Sequence, residues 1–354
     1  MTTGIAPLQR RGDPDYERFV AVLERRGDSS YVPFYEMIPN YLAELSGIEP
    51  PATLDFSNNS PHFLDSFEFY FHAMARLGFD LGIINLCGFG NFPGHHPSGK
   101  VQAGDGAIPD WEAFENYPWP SADQVDTELM ARTAARAPEG MGVWTGGPAP
   151  FEATMNELLG FERLALMVHD QPDLVQAVAD KVGSIMVEVI DLACAQPCID
   201  GFNFAGDMGH KGGTMLAPDT MRTYFLPWHK RACEAAHRHG KKIVLHSCGN
   251  LAEIMPDIVD CGYDGKHSFE DTLDPGQFEL HRQYGDRIAL LGGVDVDFLC
   301  RASEADIRRR VRTHIDTMAP NGGYCLGSGN SIPDYVPVEN YRAMLDEGLT
   351  YGRG

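Results

Sequence analysis

Two residues with the chemistry of zinc ligands follow one apolar stretch of this chain. The run 243–245 is apolar and mostly β-branched, it leads into His246-Ser247-Cys248, and Gly249 and Asn250 then end the extended segment. Because residues i and i+2 of a strand point to the same side, His246 and Cys248 should leave the strand end as a pair. Imidazole and thiolate are typical zinc ligands, so this pair could supply half of a zinc site.

The composition is that of a globular and strongly acidic protein. The 354 residues are 43% hydrophobic and carry a formal net charge of −22, from 28 basic and 50 acidic side chains. Such acidity argues against nucleic acid or an anionic membrane as a partner. No segment reads as a signal peptide or a membrane helix, and eight cysteines are too few for a disulfide scaffold. We therefore expect a cytoplasmic protein with reduced thiols, for which a homodimer remains compatible.

Strand-like and helix-like segments alternate along the chain. Strands are predicted at 31–37, 79–85, 140–145, 199–204, 242–246, 264–267, 288–292 and 324–326. Helices are predicted at 13–27, 59–77, 121–136, 152–169 (broken near Gly160), 172–195, 218–239, 250–261, 275–284, 303–318 and 337–348. Eight strand–helix units without a linker-like break predict an α/β fold, a single (β/α)8 TIM barrel domain over residues 1–354 with an N-terminal helical extension.

Residues that could do chemistry lie at the ends of these predicted strands. They are Glu36, Asn85, Cys87, Asp207, His246, Cys248, His267, Glu270, Asp295 and Cys325. In (β/α)8 barrels the carboxyl ends of the strands meet at one mouth. Cys325 is the best candidate for a third zinc ligand because it emerges from the final strand. Two sulfurs, one nitrogen and an exchangeable fourth position are typical of catalytic zinc, which can hold a substrate thiol as its thiolate.

Each of these side chains also has a purely structural interpretation. His246 and Cys248 could be a hydrogen-bonded imidazole and a buried thiol. Glu270 could be a fourth ligand that the substrate displaces, or the partner of a basic side chain. Asp207, in a glycine-flanked loop, could orient a substrate or stabilise a turn. Paired histidines at 95–96 mark a loop that could cover the site.

Short motifs along the chain resemble the uroporphyrinogen decarboxylase superfamily. In order, they are Tyr117-Pro118-Trp119-Pro120, Gly147-Pro148, Gly160-Phe161-Glu162, Ala205-Gly206-Asp207-Met208-Gly209, Leu226-Pro227-Trp228, His246-Ser247-Cys248-Gly249-Asn250, Gly292-Gly293-Val294-Asp295, Gly322-Gly323-Tyr324, Ile332-Pro333 and Pro337-Val338-Glu339-Asn340. Each motif is short, but their order and spacing together are specific. The resemblance implies a (β/α)8 barrel, in agreement with the strand count.

Two departures separate this chain from the decarboxylases of that superfamily. Their N-terminal arginine motif is missing from the region 31–36, and Cys87 stands where their essential Asp would fall. The corrinoid-dependent methyltransferases of the superfamily instead bind zinc through a His-x-Cys pair and a third Cys from the last strand. The resemblance to this branch implies Zn²⁺ bound by His246, Cys248 and Cys325.

The resulting hypothesis is a zinc-dependent methyltransferase. The methyl group would pass from methylcobalamin, or from a methylated corrinoid protein, to a small thiol such as coenzyme M. Asp207 and Glu270 are its catalytic candidates, the first to orient acceptor or donor and the second to fill the fourth zinc position at rest. Three alternatives remain open: a methyltransferase that demethylates a small donor onto a corrinoid, a metal-free decarboxylase-like lyase, and a non-catalytic subunit that binds zinc or docks a corrinoid protein.

Overall fold

The computed structural model describes residues 8, 12–27, 31–37, 39–90, 92–93 and 106–351 of the chain. The predicted histidine loop at 95–96 lies outside the described residues. Among the helices of the described part, none is long and apolar enough to cross a membrane.

Seven parallel strands form the main sheet, and two short strands form a separate hairpin. In chain order the strands are β1 (Leu81–Asn85), β2 (Gly142–Pro148), β3 (Gly201–Ala205), β4 (Gly209–His210), β5 (Gly213–Thr214), β6 (Lys242–His246), β7 (Gly265–His267), β8 (Ala289–Leu291) and β9 (Tyr324–Cys325). The main sheet has the order β1-β2-β3-β6-β7-β8-β9, and β4 pairs with β5 antiparallel. The strands of the main sheet match seven of the predicted strands, whereas the hairpin was not predicted.

The predicted first strand, 31–37, forms only a single parallel bridge between Phe34 and Leu326. Around that bridge the backbone amide of Tyr35 donates to Leu326 at 2.9 Å, and the amide of Leu326 donates to Pro33 at 2.8 Å. The segment therefore runs beside β9 without extending into a regular strand. The architecture is an α/β fold on a seven-stranded parallel sheet, consistent with a TIM-like barrel.

Helices connect the strands of the main sheet. They are α1 (Tyr16–Leu23), α2 (Leu42–Ser46), α3 (Phe63–Leu77), α4 (Trp111–Asn116), α5 (Thr127–Ala134), α6 (Pro150–Ala153), α7 (Phe161–Asp170), α8 (Pro172–Cys194), α9 (Pro218–Tyr224), α10 (Leu226–Arg238), α11 (Met255–Cys261), α12 (Gln277–Tyr284), α13 (Val296–Arg301), α14 (Glu304–Met318) and α15 (Val338–Thr350). The break at Gly160 is confirmed, and the helix predicted at 218–239 is interrupted at Phe225. The predicted helix start at Ser60-Pro61, with Asn59 as its N-cap, is wrong, because α3 begins at Phe63.

Side-chain alternation divides the strand residues between two hydrophobic cores. On β6, Ile243 and Leu245 pack into the larger core, whereas Val244 packs into a smaller one. We call the smaller core the inner cluster; its buried members are Phe19, Val22, Leu23, Tyr35, Leu81, Trp144, Val244, Ala289, Leu291 and Cys325. Since His246 is two residues beyond Val244, strand geometry places its side chain on the same face as the inner cluster.

Candidate metal centre

Asp207, His246 and Cys248 form the one group within the described residues in which three possible ligand atoms lie within 4.8 Å of one another. His246 Nε2 is 3.7 Å from Cys248 Sγ and 3.9 Å from Asp207 Oδ1. Ligand atoms of a tetrahedral zinc lie about 3.3–3.6 Å apart, given bonds of about 2.0–2.3 Å. His246 Nε2 therefore needs to move only a few tenths of an ångström relative to each of the other two donors to share one zinc ion with them, and the chemistry of all three donors suits zinc.

The pairing of β3 with β6 explains why Asp207 and Cys248 meet. Ala205 is the register partner of His246, so Asp207 and Cys248 each lie two residues beyond a matched pair. The backbone amide of Cys248 donates to Asp207 Oδ1 at 2.8 Å, which fixes the carboxylate beside the thiol. Asp207 was predicted as a catalytic residue, and the structure brings its carboxylate close to His246 and Cys248 as a third possible ligand.

A second histidine holds His246 in the orientation and tautomer that a metal requires. His267 Nε2 lies 3.3 Å from the carbonyl oxygen of Ser328, which can only accept, so Nε2 carries the proton. His267 Nδ1 then accepts from His246 Nδ1, 2.8 Å away. This relay leaves an unprotonated lone pair on His246 Nε2, and burial lowers the pKa of His246 to about 4. Such an outer hydrogen bond is the usual companion of a zinc-binding histidine.

The Cys248 thiol lies in surroundings where a thiolate needs a nearby cation. Burial raises its pKa above the ordinary range, and the Asp207 carboxylate raises it further. A hydrogen bond with the Ser268 side chain and the charge of Lys266 act in the other direction and lower this pKa. In addition, Asn330 Nδ2 donates to Cys248 Sγ at 3.1 Å. A bound divalent ion would supply the missing positive charge.

Lys266 is a buried basic residue close to the centre, and it was not among the predicted site residues. It is 1% exposed, and Nζ donates to the carbonyl oxygens of Ser247 at 3.1 Å and Ser268 at 2.7 Å. Burial lowers its pKa to about 7, although Cys248 and Asp207 oppose the change. Because its neighbour His267 faces His246, Lys266 points to the opposite side of β7, where it lies over the Phe269 ring.

Cys325 lies outside the ligand group. Its side chain is fully buried in the inner cluster, and its register partner is Leu291. It ends a strand of only two residues, and the residue that reaches Cys248 is Asn330, five positions later. The available signal for Asn330 was a polar residue directly after Gly329, in the loop that follows the last strand.

Glu270 is also outside the ligand group. Its carboxyl is partly buried, which raises its pKa, and the charges of Asp295 and Lys211 act on that pKa in opposite directions.

Of the other predicted side chains, Glu36 accepts two hydrogen bonds from Ser328, both of 2.7 Å. Asp295 accepts from the amide of Phe298 and so caps α13, and the Cys87 thiol is fully buried. These three side chains therefore have structural roles.

Glu152 connects the ligand group to a large cavity. Its Oε2 accepts from the amide of Asp207 at 3.2 Å, and burial together with the Asp207 charge raises its pKa to about 7. The cavity has a volume of about 1130 Å³ and is lined by the ends of β1, β2 and β3 and by residues between 37 and 90. A small molecule in this cavity would therefore lie beside the candidate metal centre.

Comparison with known proteins gives relatives with two activities. A methylcobamide:CoM methyltransferase from Methanosarcina barkeri is 26% identical over 131 residues, 37% of this chain and 36% of the relative. A uroporphyrinogen decarboxylase from Alkalilimnicola ehrlichii is 28% identical over 193 residues, 52% of this chain and 49% of the relative. A methylated-thiol–coenzyme M methyltransferase from Methanosarcina mazei is 25% identical over 198 residues, 56% of this chain and 50% of the relative. The chain thus matches half or less of the length of each.

The family model described as uroporphyrinogen decarboxylase (URO-D) matches residues 115–350. This range contains Asp207, His246, Cys248 and Asn330, and it is more than half of the chain. The protein therefore belongs to the uroporphyrinogen decarboxylase family.

Proposed function

We propose that this protein is a zinc-dependent methyltransferase that moves a methyl group from a methylated corrinoid, carried by a partner protein, to a small thiol. The observation that carries the proposal is the convergence of Asp207, His246 and Cys248, with His246 Nε2 left free by the His267 relay. Two Methanosarcina relatives named as methyltransferases support the same reaction class. Cys87, where the decarboxylases have an Asp, counts against decarboxylation.

The proposed ligands are His246, Cys248 and Asp207. We propose Asp207 rather than Cys325 as the third ligand, because Cys325 is packed in the inner cluster whereas Asp207 Oδ1 is 3.9 Å from His246 Nε2. When bound there, zinc would lower the pKa of an acceptor thiol in its fourth position and keep that thiol as a nucleophilic thiolate. Glu270 remains a proposal as an additional ligand at rest.

The surrounding residues would balance the charge of the bound acceptor. Asp207 and a deprotonated Cys248 together neutralise a divalent ion, so an acceptor thiolate adds one negative charge. Lys266, whose charge interacts with Cys248 and Asp207, would favour this added negative charge. Asn330 Nδ2, which donates to Cys248 Sγ, stabilises sulfur in its anionic form.

The proposed architecture is a closed (β/α)8 barrel formed by the whole chain. In it, the segment 31–37 joins the seven strands of the main sheet and brings their number to eight. The carboxyl ends of β3 and β6, which carry the ligand group, would then open toward the corrinoid partner. Holding thiolate and methyl group in line at this mouth would supply much of the rate acceleration.

A second candidate function uses the same centre in the demethylating direction. The cavity of about 1130 Å³ beside Glu152 would then hold a small methylated donor, and the corrinoid would accept the methyl group. The cavity is the observation that favours this candidate.

Zinc content and thiol-dependent demethylation of methylcobalamin test the proposal. We expect about one equivalent of zinc and thiol-dependent loss of the methylcobalamin spectrum for the native protein, both abolished by Cys248→Ser. Cys261→Ser is the matched control, because Cys261 is a buried thiol on α11 that is not a member of the ligand group. Less than about half an equivalent of zinc, unchanged by Cys248→Ser, would contradict the zinc site. Zinc without turnover with any thiol would favour the demethylating candidate.

A further inference from the structure

The cavity beside Glu152 differs in character from the metal centre. Its volume of about 1130 Å³ is slightly above the usual range of about 300–1,000 Å³ for small-molecule sites. Its floor includes Ala205 at the end of β3, two residues before Asp207, and its wall includes Glu152, which contacts the amide of Asp207. A molecule bound there would extend toward the ligand group.

Six aromatic rings contribute to the apolar part of the cavity wall. They belong to Tyr41, Phe56, Phe67, Phe69, Tyr70 and Phe89. Phe56, Phe67 and Tyr70 pack edge to face, with ring centroids 5.0–6.4 Å apart, so they form one continuous aromatic surface. Faces of aromatic rings carry negative electrostatic potential and attract organic cations.

The polar part of the wall is acidic. Glu44, Glu152 and Glu157 line the cavity, and none of the described residues that line it is Lys, Arg or His. An anionic ligand would therefore meet carboxyl groups without a basic side chain from this lining to neutralise it. The net charge of −22 of the whole chain acts in the same direction.

Two amide oxygens on the wall lack a hydrogen-bond donor. The Nδ2 groups of Asn58 and Asn156 are directed toward Leu86 O, at 3.5 Å, and Glu152 Oε1, at 3.3 Å. Because Nδ2 makes these contacts, Oδ1 of each amide points the other way. Both Oδ1 atoms are buried without a hydrogen-bond partner in the described structure. Because both oxygens have almost no accessible surface, a ligand in the cavity would reach them only after these side chains rotate, and the inference does not depend on them.

We propose that this cavity binds a small organic cation, an ammonium group on a partly apolar body, and rejects anions. This inference rests on the proposed function, which gives the bound molecule its role as thiol acceptor or as methyl donor. The cation would place its charge near Glu152 and Glu44 and its apolar body against the aromatic surface. Molecules with several carboxylates, or with a sulfonate, would lack a counter-charge from the described lining.

Calorimetric titration of the full-length protein with three probes of similar size tests this inference. The probes are 2-phenylethylammonium, 2-phenylethanol and phenylacetate, at pH 8 and moderate salt. We expect the cation to bind at least about tenfold more tightly than the alcohol, and the anion to bind most weakly. Glu152→Gln should remove most of the preference for the cation, whereas Glu188→Gln, an exposed carboxyl on α8 outside the lining, should retain it.

A second variant keeps the test valid if Glu152→Gln fails to fold. Phe56→Leu removes one ring from the aromatic surface and leaves every carboxyl in place. It should weaken binding of the cation several-fold more than binding of the alcohol. Equal binding of the three probes, tighter binding of phenylacetate, or no binding of the cation would overturn the inference. Zinc content is measured on the same samples, so that zinc without cation binding contradicts this inference alone, and cation binding without zinc contradicts the proposed function alone.

Discussion

His246 Nδ1 and His267 Nδ1 lie 2.8 Å apart at the carboxyl ends of two adjacent strands. Since His267 Nε2 donates to the carbonyl oxygen of Ser328, the proton between the two rings belongs to His246. The free lone pair of His246 is then on Nε2, on the side of Cys248 and Asp207. The register of β6 and β7 thus sets the tautomer of His246, the candidate ligand on β6.

Replacing His267 by Phe should weaken zinc binding by about 10- to 100-fold, because His246 loses the acceptor that orients its ring. The measurement is a competition titration with a chelator. His229→Phe is the matched control: His229 is also fully buried, and its Nδ1 bonds to the Tyr263 hydroxyl at 2.7 Å. Both variants should lose stability, and only His267→Phe should lose affinity for zinc. Equal affinity of both variants for zinc would show that the relay has no part in metal binding.

Replacing Cys325 by Ala should leave the zinc content unchanged and lower the free energy of unfolding by about 1 kcal/mol. The cost arises from a small void in the inner cluster, in which Cys325 is fully buried. Cys248→Ala should have the opposite profile, with zinc lost and stability of the metal-free protein nearly unchanged. Metal analysis and denaturant unfolding provide the two readouts. If folded Cys325→Ala protein loses its zinc, Cys325 is a ligand after all.

Replacing Asn330 by Cys should increase the affinity for zinc by about tenfold or more. Asn330 Nδ2 lies 3.1 Å from Cys248 Sγ, so a thiol at position 330 would lie close enough to become a further ligand with soft donor character. Asn330→Ala is the control, since it removes the amide without adding a ligand and should give no increase. A Cys variant that binds zinc no more tightly than the Ala variant would place residue 330 outside the coordination shell.

The stability of the protein should fall as the pH rises from about 4.5 to about 8, in part because of Glu36. Burial raises the pKa of Glu36 to about 8, although the two hydrogen bonds from Ser328 oppose this. The folded state therefore keeps a proton that the unfolded state has released, and each pH unit in this window costs up to about 1.4 kcal/mol. Glu36→Gln should flatten this dependence in urea titrations at several pH values. A Gln variant with the same pH dependence as the native protein would contradict the raised pKa.

The strands could be predicted because most of them are apolar runs that Gly or polar residues terminate. Seven predicted strands form the main sheet, including the run that ends at His246. The segment 31–37 has the same composition, but it forms one bridge through Phe34 only. The short hairpin of β4 and β5 has no apolar pattern, so periodicity could not reveal it.

The candidate ligand group could be predicted only in part, because its third member, Asp207, joins the group through the register of two strands that are distant in sequence. The spacing of His246 and Cys248 is local and was read correctly as a pair, 3.7 Å apart. The register of β3 against β6, which brings Asp207 to them, is a long-range property. Cys325 ends its strand in sequence, yet it lies within the inner cluster, and the loop after it delivers Asn330 instead. Lys266 looked like an ordinary strand residue, because sequence alone does not reveal that a lysine is buried.

X-ray absorption at the zinc edge of the purified protein, with and without a thiol acceptor, tests the proposed centre most directly. Asp207, His246 and Cys248 as ligands predict one sulfur at about 2.3 Å and nitrogen or oxygen ligands at about 2.0–2.1 Å in the protein alone. Addition of the acceptor should raise the sulfur count from about one to about two. Absence of zinc, two sulfurs before any thiol is added, or a count that no thiol changes would contradict the account.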